Sequence, residues 1–393
     1  MKSNGVRGPY GAPLITESSF YAIPFVLKQH LQMHQVAIAH DPRPSSLKLY
    51  QALLAGAKDA GLQVHDAGLL PTPVLAKWCF DHQVTGLLVT ASHNPVSDNG
   101  LKIIGQVLPQ DICQSMQDLV DQRWKQCAGG QIIPSHQVVK DYYLTMLRQA
   151  VGRVPKSCLV DAANGSWSYH LDLLRGIGLD PTLTHQINPA LINTSGCVIL
   201  EQGPPADKDP RLVVYFDGDG DRLKVKSSGV VLDGDDILWN LSQGHSLPIV
   251  TTEMSNQRLS ESLEKQGVVC VRSQVGDHHV YRHMLEVGAR YGGEPCGHII
   301  DRSWMPLSDP VYILAKLLSE APCALLPLND KYYQYQTTVS KDQDIALLKA
   351  QTAHCHLRTV IRYSQTEPVI RILLEGDKEL IVSVLSSMQV PIH

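Results

Sequence analysis

The chain has 393 residues, 44% of them hydrophobic and 18% charged, with a formal net charge of −4. That exceeds the roughly 250–300 residues at which single cores stop growing, so two to four domains are expected. A near-balanced, slightly acidic chain offers no basic field for nucleic acid or an anionic membrane, so an anionic ligand must be held by local cations or a metal.

The nine cysteines stand singly with no C-x-x-C pair, which fits free thiols in a reducing compartment better than disulfides or a zinc site. There is no charged-then-apolar leader and no apolar run approaching about 18 residues, so a cytoplasmic protein is expected.

In chain order, Val36-Ala37-Ile38-Ala39 and Gly86-Leu87-Leu88-Val89 are apolar runs that end at loop signals. Ser45 to Ala60 and Thr72 to Asp81 carry helical patterning between them. This alternation predicts an α/β layer with a mostly parallel sheet. A glycine-containing interval at Ala128-Gly129-Gly130 precedes a helix expected over Lys140 to Gln149. The rhythm restarts with a strand at Ser157 to Asp161, a helix near Tyr169 to Gly176 and a buried strand at Leu212 to Phe216. A third unit reads as strand Leu247 to Thr251, helix Gln257 to Gln266 and strand Val268 to Val271. From about Lys331 the pattern changes to that of a small α+β domain, with a helix near Ile345 to Gln351 and a strand at Val369 to Leu374.

Four motifs carry chemistry. Asp217-Gly218-Asp219-Gly220-Asp221-Arg222 follows directly on the apolar strand, where ligands bind in open α/β sheets. Its glycines let the chain curl and aim three carboxylates inward. Two like charges about 4 Å apart repel by about 4 kcal/mol at an effective dielectric near 20, so three such pairs call for a cation. Hard oxygen ligands suit Mg²⁺ or Ca²⁺ rather than zinc. A solvated turn is the plain alternative. An EF-hand is disfavoured, because its twelfth position, normally a glutamate, is Ser228 here.

Thr90-Ala91-Ser92-His93-Asn94-Pro95 also follows a buried strand, with Asp98-Asn99-Gly100-Leu101-Lys102 just beyond. A serine in a tight loop ringed by backbone N–H groups can accept a phosphoryl group. Asn94-Pro95 and Asn99-Gly100 read as turns that would expose it, although a merely hydrogen-bonded Ser-His turn has the same local appearance. Gly293-Glu294-Pro295-Cys296-Gly297-His298 offers close backbone approach and two side chains that bond hydroxyls, or else a generic loop. Arg362-Tyr363-Ser364-Gln365-Thr366-Glu367-Pro368 combines a guanidinium with hydroxyls as a phosphate cradle, or else a polar loop. Arg7 stands between glycines near the amino terminus, in Asn4-Gly5-Val6-Arg7-Gly8.

In this order, and over nearly the whole chain, these motifs resemble the α-D-phosphohexomutase superfamily. The resemblance implies an α/β fold of four domains around a central cleft, three of them related α/β domains with mixed sheets and the last a smaller C-terminal α+β domain. They would be a phosphoserine-loop domain at 1–135, a metal-binding domain at 136–235, a sugar-binding domain at 236–328 and a phosphate-binding domain at 329–393. Ser92 would be the phosphoserine, and Asp217, Asp219 and Asp221 would hold one Mg²⁺ ion together with it. Glu294, Cys296 and His298 would contact the sugar, and Arg222 would also bind substrate. Arg362, Ser364, Gln365, Thr366 and Arg371 would hold the non-reacting phosphate. Arg7 and Lys102 would neutralise charge or exchange protons at the reacting end, with His93 as the other proton acceptor.

Asp161-Ala162-Ala163-Asn164-Gly165, Gly297-His298-Ile299-Ile300-Asp301 and Thr366-Glu367-Pro368-Val369-Ile370-Arg371 look most like the phosphoglucosamine mutase branch. That implies interconversion of glucosamine 6-phosphate and glucosamine 1-phosphate, with a hexose 1,6-bisphosphate as activator or intermediate. Mannose or glucose phosphates handled by the same mechanism are the alternative. Cys296, Gln365 and His278 replace the family's usual serine, glycine and arginine, and all three fall on substrate loops. Two other classes remain: a phosphatase or phosphodiesterase, with water as acceptor, and a non-catalytic sugar-phosphate sensor. The expected partner is a sugar phosphate, with no nucleic acid and no membrane, for a monomer or homodimer.

Overall fold

The computed structural model describes residues 5–106, 108–200, 210–320, 325–342, 357–363 and 369–387, together with positions 345, 349 and 352. Among the described residues it is a mixed α/β structure with four sheets. The chain divides into two compact units, Met1–Asp233 with Cys296–Leu325, and Gly234–Pro295 with Leu326–His393.

The first unit holds two sheets. In the first, the strands run in the order Gly5–Pro9, Asp98–Ile104, Thr85–Val89, Gln35–His40, Gln63–Leu69 and Gln131–Pro134. The last four pair in parallel, and Asp98–Ile104 runs antiparallel to both its neighbours. Thr85–Val89 is buried at every residue, which is why it reads as a continuous apolar run without alternation. Helix Glu17–Leu31 starts at Thr16, whose Oγ1 accepts from Ser19 N at 3.2 Å. Its Phe20, Ile23 and Leu27 pack with Leu49, Leu53 and Ile38 in the core of this layer. Each such side chain contributes roughly 1.5–3 kcal/mol by leaving water.

In the second sheet the order is Val230–Leu232, Lys224–Ser227, Val213–Tyr215, Lys156–Asp161 and Leu179–Leu183. Val213–Tyr215 and Leu179–Leu183 flank Lys156–Asp161 in parallel, and Lys224–Ser227 turns back antiparallel. The serine motif thus leaves the carboxyl end of Thr85–Val89, and the acidic motif leaves the carboxyl end of Val213–Tyr215.

The second unit contains the parallel strands Cys270–Ser273, Ile249–Thr252 and Tyr291–Gly293. It also contains an antiparallel sheet ordered Tyr333–Ser340, Val369–Gly376 and Arg358–Tyr363. Ile370, Ile372 and Leu374 on its central strand pack against Ile381, Val384 and Leu385 of helix Lys378–Ser387. Among the described residues, no helix is long and apolar enough to cross a membrane.

Two expectations change. Asn99-Gly100, read as a turn, lies inside strand Asp98–Ile104, where pairing on both sides overrides the local turn signal. The helix expected near Tyr169 to Gly176 is a 3₁₀ turn at Ser166–Tyr169 followed by helix Leu171–Gly176. Most of the helix expected over 345–351 lies outside the described residues.

His170, between those two pieces, is 4% exposed, and its Nε2–H donates to the Leu69 carbonyl at 2.8 Å. Burial, with the charges of Lys140 and His136, pushes its pKa down to about 4, against the pull of the Leu69 carbonyl. The unfolded chain therefore takes up a proton near pH 6.5 that the folded chain refuses until about pH 4. This group's contribution is complete above pH 6.5 and is lost as pH falls, by about 3 kcal/mol at the bottom of that window. Urea titrations should show His170→Gln losing less stability between pH 7 and pH 4.5 than the wild type; parallel losses would exclude His170 as the acid-sensitive group.

Candidate active site

Ser92 is 1% exposed and takes a left-handed backbone conformation, φ 53°. For a residue with a Cβ this costs on the order of 1–2 kcal/mol, so the surroundings must impose it. Thr90 Oγ1 accepts from Ser92 N at 2.8 Å and donates to Asp41 Oδ2 at 2.7 Å. The Ser92 carbonyl accepts from Arg43 Nη2 at 2.6 Å and Asn193 Nδ2 at 2.7 Å. The expected exposure of Ser92 gives way to burial because the acidic loop closes over it: a Cβ on Gly218 would sit 2.9 Å from the Ser92 carbonyl oxygen.

The three aspartates converge from that loop, each at most 4% exposed. Each offers a carboxylate oxygen within 4.8 Å of the other two. Asp217 Oδ2 accepts from Ser92 Oγ at 3.4 Å, and its Oδ1 accepts from the backbone N–H groups of Asp221 and Arg222 at 3.1 and 3.2 Å. Asp219 Oδ2 accepts from Thr72 Oγ1 at 2.8 Å and Lys102 Nζ at 3.3 Å. Asp221 Oδ2 accepts from Lys102 Nζ at 2.5 Å, and Oδ1 from His298 Nε2 at 2.9 Å. Gly220, at φ 76°, closes the curl; a Cβ there would meet the Trp167 ring at 2.5 Å.

These residues fit a hard divalent cation. Asp219 Oδ1 is buried and has no hydrogen-bond partner among the described residues. Burial first, then the charges of Asp221 and Asp219, push the Asp217 carboxyl up to about 7 despite the nearby Arg222 and His298. The local cations therefore leave Asp217 short of positive charge, and the all-oxygen donor set is the kind that holds Mg²⁺ or Ca²⁺.

His93 Nδ1 lies 3.4 Å from Ser92 Oγ but accepts from Arg222 Nη2 at 2.8 Å. The Arg222 charge, burial and the charge of Arg7 push the His93 pKa down to about 2. Its lone pair is therefore committed to Arg222, and the serine hydroxyl turns to Asp217 instead. Burial alone would lower the pKa of His298, but Asp221 and Cys296 hold it well above the usual imidazole range. The Cys296 thiol lies 3.9 Å from His298 Nδ1. Arg7 is exposed, on the strand paired with Asp98–Ile104, with Gly100 as its cross-strand partner.

In the second unit, Glu294 is buried and accepts from Gly276 N at 2.9 Å. Arg362 and Arg371 face each other across paired strands and line a cavity of about 330 Å³ with Met254, Tyr335, Thr337 and Thr338. Two guanidiniums placed opposite each other repel, and Glu253 Oε1, 3.5 Å from Arg362 Nε, offsets part of that charge. Ser364, Gln365 and Thr366 lie outside the described residues.

Four residues that shape the site carried no expectation of a role in it: Asp41, Arg43, Thr72 and Asn193. Asp41-Pro42-Arg43-Pro44 at the end of strand Gln35–His40 is a local signal that could have been read, since it places an ion pair in a rigid loop at a strand's carboxyl end. Thr72 and Asn193 give no such signal.

Residues 1–123 match the family described as phosphoglucomutase/phosphomannomutase, alpha/beta/alpha domain I, and residues 234–326 match domain III of the same family. The phosphoglucosamine mutase of Thermotoga neapolitana is 30% identical over 404 residues, covering 95% of this chain and 94% of that protein. A phosphoglucomutase/phosphomannomutase family protein from Burkholderia thailandensis superimposes with a TM-score of 0.79 at 22% identity, over 99% of this chain and 95% of that one. The Aspergillus fumigatus N-acetylphosphoglucosamine mutase, solved with GlcNAc-6P and magnesium, gives 0.69 at 16% identity, over 97% and 93% of the two chains.

Proposed function

This chain belongs to the phosphoglucomutase/phosphomannomutase family of phosphohexomutases, which are isomerases, and on that premise we propose that it interconverts glucosamine 6-phosphate and glucosamine 1-phosphate with Ser92 as phosphoryl carrier. One observation carries the reading: Ser92 Oγ and the Asp217 carboxylate, delivered by the ends of two different sheets, meet at 3.4 Å. A nucleophile beside three buried carboxylates suits a phosphorylated serine that needs a divalent counter-charge.

Asp217, Asp219 and Asp221, with an oxygen on Ser92, would hold one Mg²⁺ ion, which when bound offsets the phosphoserine charge and polarises the phosphoryl group. The free hydroxyl of the sugar phosphate attacks the phosphorus of phospho-Ser92. The Ser92 Oγ–P bond breaks, and a hexosamine 1,6-bisphosphate forms. The bisphosphate turns over, and its other phosphate returns to Ser92. Lys102 is the candidate for exchanging the hydroxyl proton: its Nζ donates to Asp219 and Asp221, so it can pass a proton to a carboxylate as it takes the one from the hydroxyl, whereas His93 Nδ1 is occupied by Arg222. Arg7 and Arg222 neutralise charge at the reacting end, and Glu294, Cys296 and His298 bind sugar hydroxyls. Arg362 and Arg371, with Ser364, Gln365 and Thr366, hold the phosphate that is not reacting. A hexose 1,6-bisphosphate primes Ser92. The four-domain division at 1–135, 136–235, 236–328 and 329–393 is supported by each of the four sheets falling within one segment.

The direct test is a coupled assay with Mg²⁺ across glucosamine, mannose and glucose phosphates. Glucosamine phosphate should turn over with the highest kcat/KM. Turnover of mannose or glucose phosphate alone would remove the substrate assignment and leave the mechanism. Release of inorganic phosphate without isomerised sugar would replace both with a phosphatase.

A further inference from the structure

Two planar donors grip the same pair of carbonyls in the serine loop. Arg43 Nη2 donates to Ser92 O at 2.6 Å and to Asn94 O at 2.8 Å. Asn193 Nδ2 donates to the same two oxygens at 2.7 and 3.0 Å. Arg43 also donates through Nη1 to Asp98 O at 3.0 Å and to Pro95 O, and its side chain has no exposed surface. It is braced in turn by Asp41, which accepts from Arg43 Nε at 3.0 Å, Ser46 Oγ at 2.6 Å and Thr90 Oγ1 at 2.7 Å.

Asn193 arrives from the other side. Asp161, at the end of strand Lys156–Asp161, accepts from Ser195 Oγ at 2.7 Å and Gly196 N at 3.0 Å, while Asn193 N donates to Ala163 O at 2.9 Å. Asn193 sits in the left-handed region, φ 62°, which asparagine tolerates better than most residues. Its Oδ1 is buried with no hydrogen-bond partner among the described residues, so the amide's hydrogen bonding in the site is all donation to the serine loop. The aspartate loop and Asn193 both belong to the second sheet's side of the unit, so this grip fixes the register of the two loops that must meet.

We propose that Arg43 and Asn193 are positioning residues for phosphoryl transfer: together they clamp the Ser92 and Asn94 carbonyls and hold Ser92 Oγ in line with the aspartate loop. Neither touches the reacting atoms. The serine main chain is held from the first sheet by Arg43 and from the second by Asn193, so losing one jaw leaves the loop attached but out of register. An error of about 1 Å between reacting groups costs on the order of 100-fold in rate. The proposal rests on Ser92 being the carrier.

The test follows transfer of labelled phosphate from glucose 1,6-bisphosphate to Ser92 in wild type, Asn193→Ala, Asn193→Asp and Arg43→Lys, with KM, kcat and thermal midpoint for each. Asn193→Asp keeps the shape and removes the donor, and Arg43→Lys keeps the charge and removes the planar fork. All three should label Ser92 about 10–100-fold more slowly, with kcat falling in parallel and KM within about twofold of wild type. Labelling at the wild-type rate in both Asn193 variants would overturn the clamp and leave the carrier role standing. Loss of the folding transition in both Asn193 variants would also overturn it, by making Asn193 a structural residue. Failure of the wild type itself to take up label would remove the carrier role, and the clamp with it.

Discussion

Replacing Ser92 with alanine should abolish interconversion of the two glucosamine phosphates, with kcat falling by roughly 10⁵-fold or more, as when a covalent nucleophile is removed. The variant should fold, because the loop is held through its backbone. Thr90 Oγ1 takes the Ser92 N–H, and Arg43 and Asn193 take its carbonyl, so none of these bonds uses the hydroxyl. What disappears is Oγ and with it the 3.4 Å contact to Asp217. Circular dichroism and the thermal midpoint should stay close to wild type, while mass spectrometry should find no phosphate at position 92 after incubation with a hexose bisphosphate. Near-wild-type turnover in Ser92→Ala would sink the carrier role. A dead variant that still hydrolyses the sugar phosphate would redirect attention to a water nucleophile at the same aspartates.

The acidic cluster was legible because its three carboxylates lie within five residues of one another in the chain. The Asp-Gly-Asp-Gly-Asp spacing needs no tertiary partner to be recognised, and the three carboxylates do converge. The clamp was not legible, because its meaning lies in distant partners: Arg43 is 49 residues from Ser92, and Asn193 is 101 residues from it. Strand Gly5–Pro9 was missed for a different reason. With two glycines and a proline in five residues its local propensity is that of a loop. It is a strand only because it lies at the sheet edge, paired on one side with Asp98–Ile104, where a proline can be accommodated. Helix Glu17–Leu31 was likewise hidden. Pro24 stands inside it as a helix-breaking signal, and the uniformly buried run Ala22 to Leu27 carries little helical periodicity. The apolar strands that lead into the two loops, buried on both faces, were the most readable part of the fold.

Stripping the divalent ion should leave a protein whose stability falls as pH rises, and Asp217→Asn should remove that fall. An ordinary aspartate ionises near pH 3.9 in the unfolded chain, whereas the folded Asp217 holds its proton up to about pH 7. Between those values the unfolded state has released a proton that the folded state keeps. The contribution is therefore fully present below pH 3.9 and is lost as pH rises through 7, by an amount on the order of a few kcal/mol. Asparagine imitates the protonated carboxyl and can keep accepting the Asp221 and Arg222 N–H groups, so the variant should be the more stable protein at pH 8 when both are metal-free. Adding Mg²⁺ should reverse the order. The wild type should gain about 2.7 kcal/mol at 100 times its Kd. Asp217→Asn should gain almost nothing and should lose activity, because one of three anionic carboxylates is gone, and even losing a residue that only orients a ligand costs about 10–100-fold in metal affinity. The crossing is the diagnostic result: a merely structural aspartate would lower stability on substitution with or without the ion, and a solvated turn would change neither. Thermal unfolding at pH 5.5 and pH 8, each with chelator and with Mg²⁺, distinguishes the three.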